Sequence, residues 1–159
     1  MNDQADLRGL LEGVFGAVST AGGSRVLESA ETFEVPRGGQ VLREGDPADA
    51  LYVVMSGTIQ LGLHQRERDL AVASVGPGEL LGWSWLVPPH RWDFDAVAVS
   101  GARLARMPAE VLLSVMQDDP ADASAIGAVM LAVLGRRLRD TRIQLLDLFA
   151  GSTAPATDA

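Results

Sequence analysis

Between Gly76 and Ala98 the chain reads GPGELLGWSWLVPPHRWDFDAVA, and much of its chemistry-bearing side-chain inventory is gathered there. Gly76 and Gly78 frame a turn where the backbone can adopt positive φ or approach a ligand closely. Glu79 follows directly, and a carboxylate beside exposed turn amides suits recognition of a hydroxyl or phosphate group. Arg91 supplies a guanidinium of the kind that pairs with phosphate oxygens through two parallel hydrogen bonds. Trp83, Trp85 and Trp92 read either as an aromatic wall for a planar ligand or as core filling, the commoner use of a tryptophan. The chain shows no catalytic order of Ser, His and Asp, no clustered metal ligands and no phosphate-cradling GxxxxGK loop, so binding rather than turnover is expected.

The whole chain constrains that chemistry. Its 159 residues suffice for one domain with a sizeable core, and 47% apolar with 21% charged residues is an ordinary globular composition. A formal charge of −8 opposes broad contact with polyphosphate, so direct DNA binding is not expected. Without cysteine there is no disulfide, thiol nucleophile or thiolate metal site, and His64 and His90 lie apart in the sequence without a carboxylate cluster. No stretch approaches the roughly 18 consecutive apolar residues of a membrane span. The N-terminus opens on acids where a signal peptide would carry positive charge, which predicts a cytoplasmic protein.

The elements that must position the Gly76–Ala98 stretch follow from periodicity. Leu7, Leu10, Leu11, Val14, Phe15 and Val18 share one helical face, and Ser19-Thr20-Ala21-Gly22-Gly23 should stop that helix before a short helical turn at 24–30. From Glu31 the period becomes two. Strands are predicted at 32–35, 40–43, 51–55, 58–63 and 70–75, then near 95–100 and 103–107, with turns rich in glycine or proline between most of them. The charged run from His64 to Asp69 reads as a solvated hairpin tip. Seven or eight short strands in this order describe an antiparallel sandwich or roll.

Helix returns at the end. A short one should run from Pro108 to about Met116, and a long one from Ala121 to about Phe149, capped by Asp118-Asp119-Pro120. Leu131, Leu134, Leu138, Thr141, Leu145 and Leu148 fall at alternating spacings of three and four, the pattern of a coiled-coil seam. Ile126, Val129, Met130 and Val133 form a second stripe beside it. Two stripes suggest one face on the domain and one on a partner helix; one broad stripe wholly buried on the domain is the alternative. GSTAPATDA at the end reads as a disordered tail.

Gly39-Gln40-Val41-Leu42, Glu44-Gly45-Asp46, Ala48, Leu51-Tyr52-Val53-Val54, Gly57-Thr58-Ile59 and Gly78-Glu79-Leu80 together resemble the cyclic nucleotide-binding domain of Crp/Fnr regulators and cyclic-nucleotide-dependent kinases. The similarity spans roughly residues 25 to 149. It implies an α+β fold: an antiparallel β-roll of the double-stranded β-helix or jelly-roll type, with an N-terminal helix and a long C-terminal helix that dimerises in the bacterial regulators. It further implies that Glu79, within Gly78-Glu79-Leu80, meets a ribose hydroxyl. The family's phosphate-binding Arg-Thr/Ser-Ala motif is not kept: Trp92-Asp93-Phe94 stands at its place, with Arg91 one residue early. By strand alternation Arg91 would face the opposite side from Trp92 unless Pro88-Pro89 bends the chain. Thr141 matches a threonine that contacts the purine across the dimer, and reads equally as a polar residue setting seam register. Arg136, Arg137, Arg139 and Arg142 read as a solvated face, from which one arginine could replace the missing phosphate partner.

The expected organisation is an N-terminal helix and cap over 1–23, a cyclic nucleotide-binding-like domain over 24–149 whose helix 120–149 dimerises, and a tail over 150–159. The candidate ligand-binding residues are Gly78, Glu79, Leu80, Arg91, Trp92 and Thr141, and the candidate dimer interface is Leu131, Leu134, Leu138, Thr141 and Leu145. No resident cofactor or metal is expected; the effector would be a cyclic nucleotide or a related small anion. The implied function is a stand-alone sensor, without the helix-turn-helix that follows this domain in the regulators, signalling through a homodimer to an unidentified protein partner. The alternative is a ligand-free dimerisation or docking scaffold.

Overall fold

The computed structural model describes residues 3–65 and 68–152. Two helices come first, α1 (Asp3–Val14) and α2 (Thr20–Ser29). Eight strands follow among the described residues: β1 (Glu31–Val35), β2 (Gln40–Leu42), β3 (Ala50–Ser56), β4 (Ile59–Gln65), β5 (Arg68–Val75), β6 (Leu80–Leu81), β7 (Asp95–Ala98) and β8 (Ala102–Pro108). The chain then closes with α3 (Ala109–Asp118) and α4 (Pro120–Ser152). No helix among the described residues is long and apolar enough to cross a membrane.

The strands make two four-stranded sheets, ordered β1-β8-β3-β6 and β2-β7-β4-β5, and all pairs are antiparallel. This is the predicted roll. Strand β3 begins with the uninterrupted apolar run Ala50-Leu51-Tyr52-Val53-Val54, and all five are buried; the strand lies between β8 and β6 in its sheet, and α3 is close to it. Strand β7 alternates instead, with Ala96 and Ala98 buried and Asp95 and Val97 half-buried, as expected of a sheet covered on one side.

The N-terminal helices depart from the sequence reading. The predicted 7–18 helix is Asp3–Val14, and Gly22-Gly23 do not end it; they lie in the first turn of α2. The reason is tertiary. Ser19 is the N-cap, its Oγ accepting from Gly22 N at 3.1 Å, while Ser19 N and Oγ donate to the two carboxylate oxygens of Asp122 at 2.7 and 2.6 Å. Gly22 faces Asp122 so closely that a Cβ there would lie 2.5 Å from Asp122 Oδ2. The short turn expected at 24–30 is the body of α2. Strand β6, two residues long, was not anticipated because its pairing comes entirely from β3.

The run from His64 to Asp69 mostly extends β4 and β5 rather than forming a tip; its residues 66–67 lie outside the described residues. Helix α4 runs three residues past the predicted Phe149, and the rest of the predicted tail, 153–159, also lies outside the described residues.

On α4 the two predicted stripes part company. Ile126 and Met130 are fully buried, with Val129 and Val133 packed beside them against the core. Leu131, Leu138, Leu145 and Leu148 are exposed by half or more, whereas Leu134 is half-buried. Farther along, Gln144 Nε2 donates to Val72 O, tying α4 to β5.

Candidate functional site

Five of the six predicted binding residues fall in two places, and the sixth, Thr141, lies apart from both on α4. The first is the turn between β5 and β6. Gly78 adopts φ +80°, a conformation that an L side chain would strain. Its N–H donates to Val54 O at 2.8 Å, and Val54 N donates to Glu79 O at 3.0 Å, stitching the turn to β3. Glu79 N donates to Gly76 O at 3.1 Å, and Gly76 N donates to Glu79 Oε2 at 2.6 Å. The expected exposed amides are therefore not exposed: Gly76, Gly78 and Glu79 spend their N–H groups on closing the turn.

Glu79 Oε1 pairs with Arg136 Nη2 of α4 at 2.5 Å. Both carboxylate oxygens are thus engaged, one within the turn and one across to the long helix. The space between turn and helix is a cleft of about 300 Å³ lined by Val14, Gly78, Glu79, Leu80, Val129, Ala132, Val133, Arg136 and Arg137. Its walls are apolar and its polar groups are one carboxylate and two guanidiniums.

Arg137 differs from Arg136. Its side chain is 14% exposed against 62%, and the nearest acid, Asp140 one turn on, is 3.8 Å away, beyond hydrogen-bonding distance. Burial lowers the Arg137 pKa from its ordinary value, and Asp140 and Glu79 oppose the shift.

The second place is the Gly82–Trp92 loop. Arg91 pairs in an isolated antiparallel bridge with Pro47, and the backbone around it zips onto the Glu44-Gly45-Asp46 turn. Ala48 N donates to His90 O at 2.8 Å, Trp92 N to Asp46 O at 3.0 Å, and Gly45 N to Trp92 O at 2.9 Å. Extended backbone sends alternate side chains to opposite faces. Arg91 accordingly lies outside, its Nη1 donating to Gly45 O at 2.7 Å, while Trp92 turns in and is buried. Proline 88 and 89 do not redirect Arg91 into the roll.

Trp92 rests against Gly82, where φ is +92° and an added Cβ would lie 2.8 Å from the indole. Its ring centroid is 6.2 Å from that of Tyr52, which in turn meets Phe33 edge-on at 6.0 Å. Trp85 is buried too, and its Nε1–H finds no acceptor among the described residues. Of the two readings of the tryptophans, packing describes Trp85 and Trp92. His90 Nδ1 donates to Trp85 O at 3.0 Å, the carbonyl being able only to accept.

The structure therefore brings Gly78, Glu79 and Leu80 together and adds Arg136 and Arg137, but neither Arg91 nor Trp92 lines that cleft. Thr141 is exposed on α4, its Oγ1 donating to Arg137 O at 2.9 Å, and it does not line the cleft either. Arg136 and Arg137 were legible in sequence only as members of a basic run; what selects them is the meeting of α4 with the β5–β6 turn.

Comparison with known proteins bears on this arrangement. Residues 32–119, more than half of the chain, match the cyclic nucleotide-binding domain. A CRP-like cAMP-activated global transcriptional regulator of Mycobacterium tuberculosis is 29% identical over 137 residues, covering 86% of this chain and 59% of that protein. The cyclic AMP receptor protein of Thermus thermophilus is 32% identical over 111 residues, covering 69% of this chain and 50% of the relative. The chain thus spans between half and three-fifths of these relatives. Among solved structures, a cyclic nucleotide-binding domain from Methylobacillus flagellatus superposes with a TM-score of 0.76 at 19% identity, covering 98% of this chain and 86% of that one.

Proposed function

Because the chain belongs to the cyclic nucleotide-binding domain family, we propose that it is a sensor module in which a small anionic or nucleotide-like effector shifts α4 and a partner reads the shift. The observation that carries this reading is the Glu79–Arg136 ion pair, which joins the β5–β6 turn to α4 across an open cleft. An effector that engages either partner competes with the pair and changes how the helix is held. A ligand shifts such an equilibrium only through different affinities for the two arrangements, and breaking or replacing an ion pair supplies that difference.

Output through α4 is supported by its exposed apolar stripe. Leu131, Leu138 and Leu145 are 70, 63 and 50% exposed on this chain alone, and the coiled-coil spacing suits pairing with the same helix of a second copy. With a net charge of −8, a second copy or a protein partner is the favoured reader, rather than DNA contacted by these residues. One relative is a cAMP-activated transcriptional regulator and another a cyclic AMP receptor protein, which supports a regulatory rather than an enzymatic role.

A second reading, a ligand-free dimerisation or docking scaffold, is favoured by one observation: Trp85 and Trp92 are packed into the domain, and Arg91 is held outside. Titration calorimetry of the purified chain with cyclic mono- and dinucleotides separates the two. The sensor reading expects saturable heat from at least one of them; silence from the whole panel at millimolar ligand leaves the scaffold.

A further inference from the structure

Beyond the seam and the buried stripe, α4 carries a third face. Arg139, Arg142, Ile143 and Leu146 stand at i, i+3, i+4 and i+7, the spacing that puts residues on one side of a helix. Ile143 and Leu146 are 58 and 68% exposed, so the roll does not cover them. In the heptad that sets Leu131, Leu138 and Leu145 at one seam position and Leu134, Thr141 and Leu148 at the other, both occupy outer positions. Pairing two α4 helices along that seam therefore leaves them uncovered. The guanidiniums of Arg139 and Arg142 beside them are exposed and have no ion pair or hydrogen bond among the described residues. Asp140 lies toward Arg137 instead, and Asp147 stands only at the edge of the face. We propose that this face is a docking surface for an acidic amphipathic helix of a partner protein, whose apolar side chains cover Ile143 and Leu146 and whose carboxylates meet Arg139 and Arg142. The proposal rests on reading α4 as the output element and gives the chemistry of the partner that reads it.

Shape and charge together select this occupant. Side chains repeated once per turn suit a second helix laid alongside. Gly135, one turn before Arg139, has open space over it apart from Arg139 Nη1 at 3.9 Å, which leaves room for close approach to the helix backbone. A second copy presenting the same face would set arginine against arginine. An anionic membrane would also meet the arginines, but it confronts a whole side of a molecule of net charge −8, whereas one helix meets only the strip. Exposed ion pairs add little affinity, so the two aliphatic side chains carry most of the binding and the arginines set its charge preference. Helix α4 is joined to the β5–β6 turn through Arg136 and to β5 through Gln144, next to Ile143, so a shift of the helix at the cleft moves this face as well.

The test uses two synthetic amphipathic helical peptides with leucines at the same apolar positions, one carrying glutamate and the other lysine elsewhere, titrated with the full chain by fluorescence anisotropy. Wild type should bind the glutamate peptide about tenfold more tightly than the lysine peptide, and that affinity should fall as salt is raised. Ile143→Ala with Leu146→Ala should weaken the glutamate peptide about tenfold or more. Arg139→Gln with Arg142→Gln should narrow the gap between the peptides and flatten the salt dependence. Circular dichroism melts show that each variant is folded, and should the alanine pair melt early, the glutamine pair still decides. Equal binding of the two peptides, no binding of either at about 100 µM chain, or glutamate-peptide binding that both double variants leave intact overturns the proposal. Two further results overturn it by giving the face to another occupant. One is slower sedimentation of the alanine pair than of wild type, which assigns it to a second copy. The other is co-sedimentation of wild type with vesicles of phosphatidylglycerol and phosphatidylcholine, which assigns it to a lipid surface. The effector reading is judged separately, by the heat of nucleotide binding.

Discussion

Arg91 and Trp92 are adjacent in sequence and opposite in environment, and their consequences differ accordingly. Trp92 fills space against Gly82 and Tyr52, so truncation removes a large buried surface and leaves a cavity. Trp92→Ala should cost about 3–5 kcal/mol of stability in denaturant unfolding. Gly82→Ala should also destabilise, by adding a Cβ within 2.8 Å of the indole at a backbone φ of +92°. Trp85 offers a contrast, because its buried Nε1–H has no acceptor among the described residues. Trp85→Phe loses ring volume but also an unsatisfied donor whose burial costs about 1–3 kcal/mol. It should therefore cost clearly less than Trp92→Ala in the same assay; an equal or greater loss would show that the indole nitrogen is satisfied in solution.

At the scale of elements, the start of α2 is fastened to the start of α4. Asp122, in the first turn of α4, accepts from both Ser19 N and Ser19 Oγ, and these hydrogen bonds hold its pKa below the ordinary aspartate range. The sign of the pH dependence follows. A carboxyl with a lower pKa folded than unfolded adds stability that is complete above the unfolded value of about 4 and is lost as pH falls through the folded value. Melting temperatures followed from pH 6 to pH 3 should fall more steeply below about pH 4 for wild type than for Asp122→Asn. Parallel curves would remove Asp122 from the acid response. Gly22→Ala belongs to the same junction: its Cβ would press on Asp122 Oδ2 at 2.5 Å, so α2 must shift or the clasp must open.

For the whole molecule, α4 is the one long element that serves both the interior and the surface. Ile126 and Met130 anchor it in the core, whereas Leu131, Leu138, Leu145 and Leu148 face outward. Dimerisation through that outer stripe predicts that Leu131→Asp combined with Leu138→Asp converts a dimer to a monomer in sedimentation, with the β-roll still folded by circular dichroism, since both side chains are exposed on the single chain. A wild-type chain that sediments as a monomer at tens of micromolar would refute the pairing of helices.

The sequence by itself determined the order of elements, the strand-rich roll, the two stripes of α4 and the likeness to cyclic nucleotide-binding domains. Those features are local: alternation, helical spacing and turn glycines reflect forces between near neighbours in the chain. Ser19 to Gly23 misled the local reading, because a glycine pair that usually ends a helix here opens one against Asp122, 103 residues away from its cap. Strand β6 exists only because β3 is there to pair with it. The candidate site lies on the same divide. Gly78 and Glu79 could be picked out by type and spacing, yet which arginine stands near them could not, since Arg91 is close in sequence and turned away while Arg136 and Arg137 are distant in sequence and lie across the cleft. Alternation along a strand fixes which way a side chain faces, but only the docking of α4 on the roll decides what it faces, and that docking rests on contacts far apart in sequence, chiefly the burial of Ile126 and Met130 with Val129 and Val133 beside them.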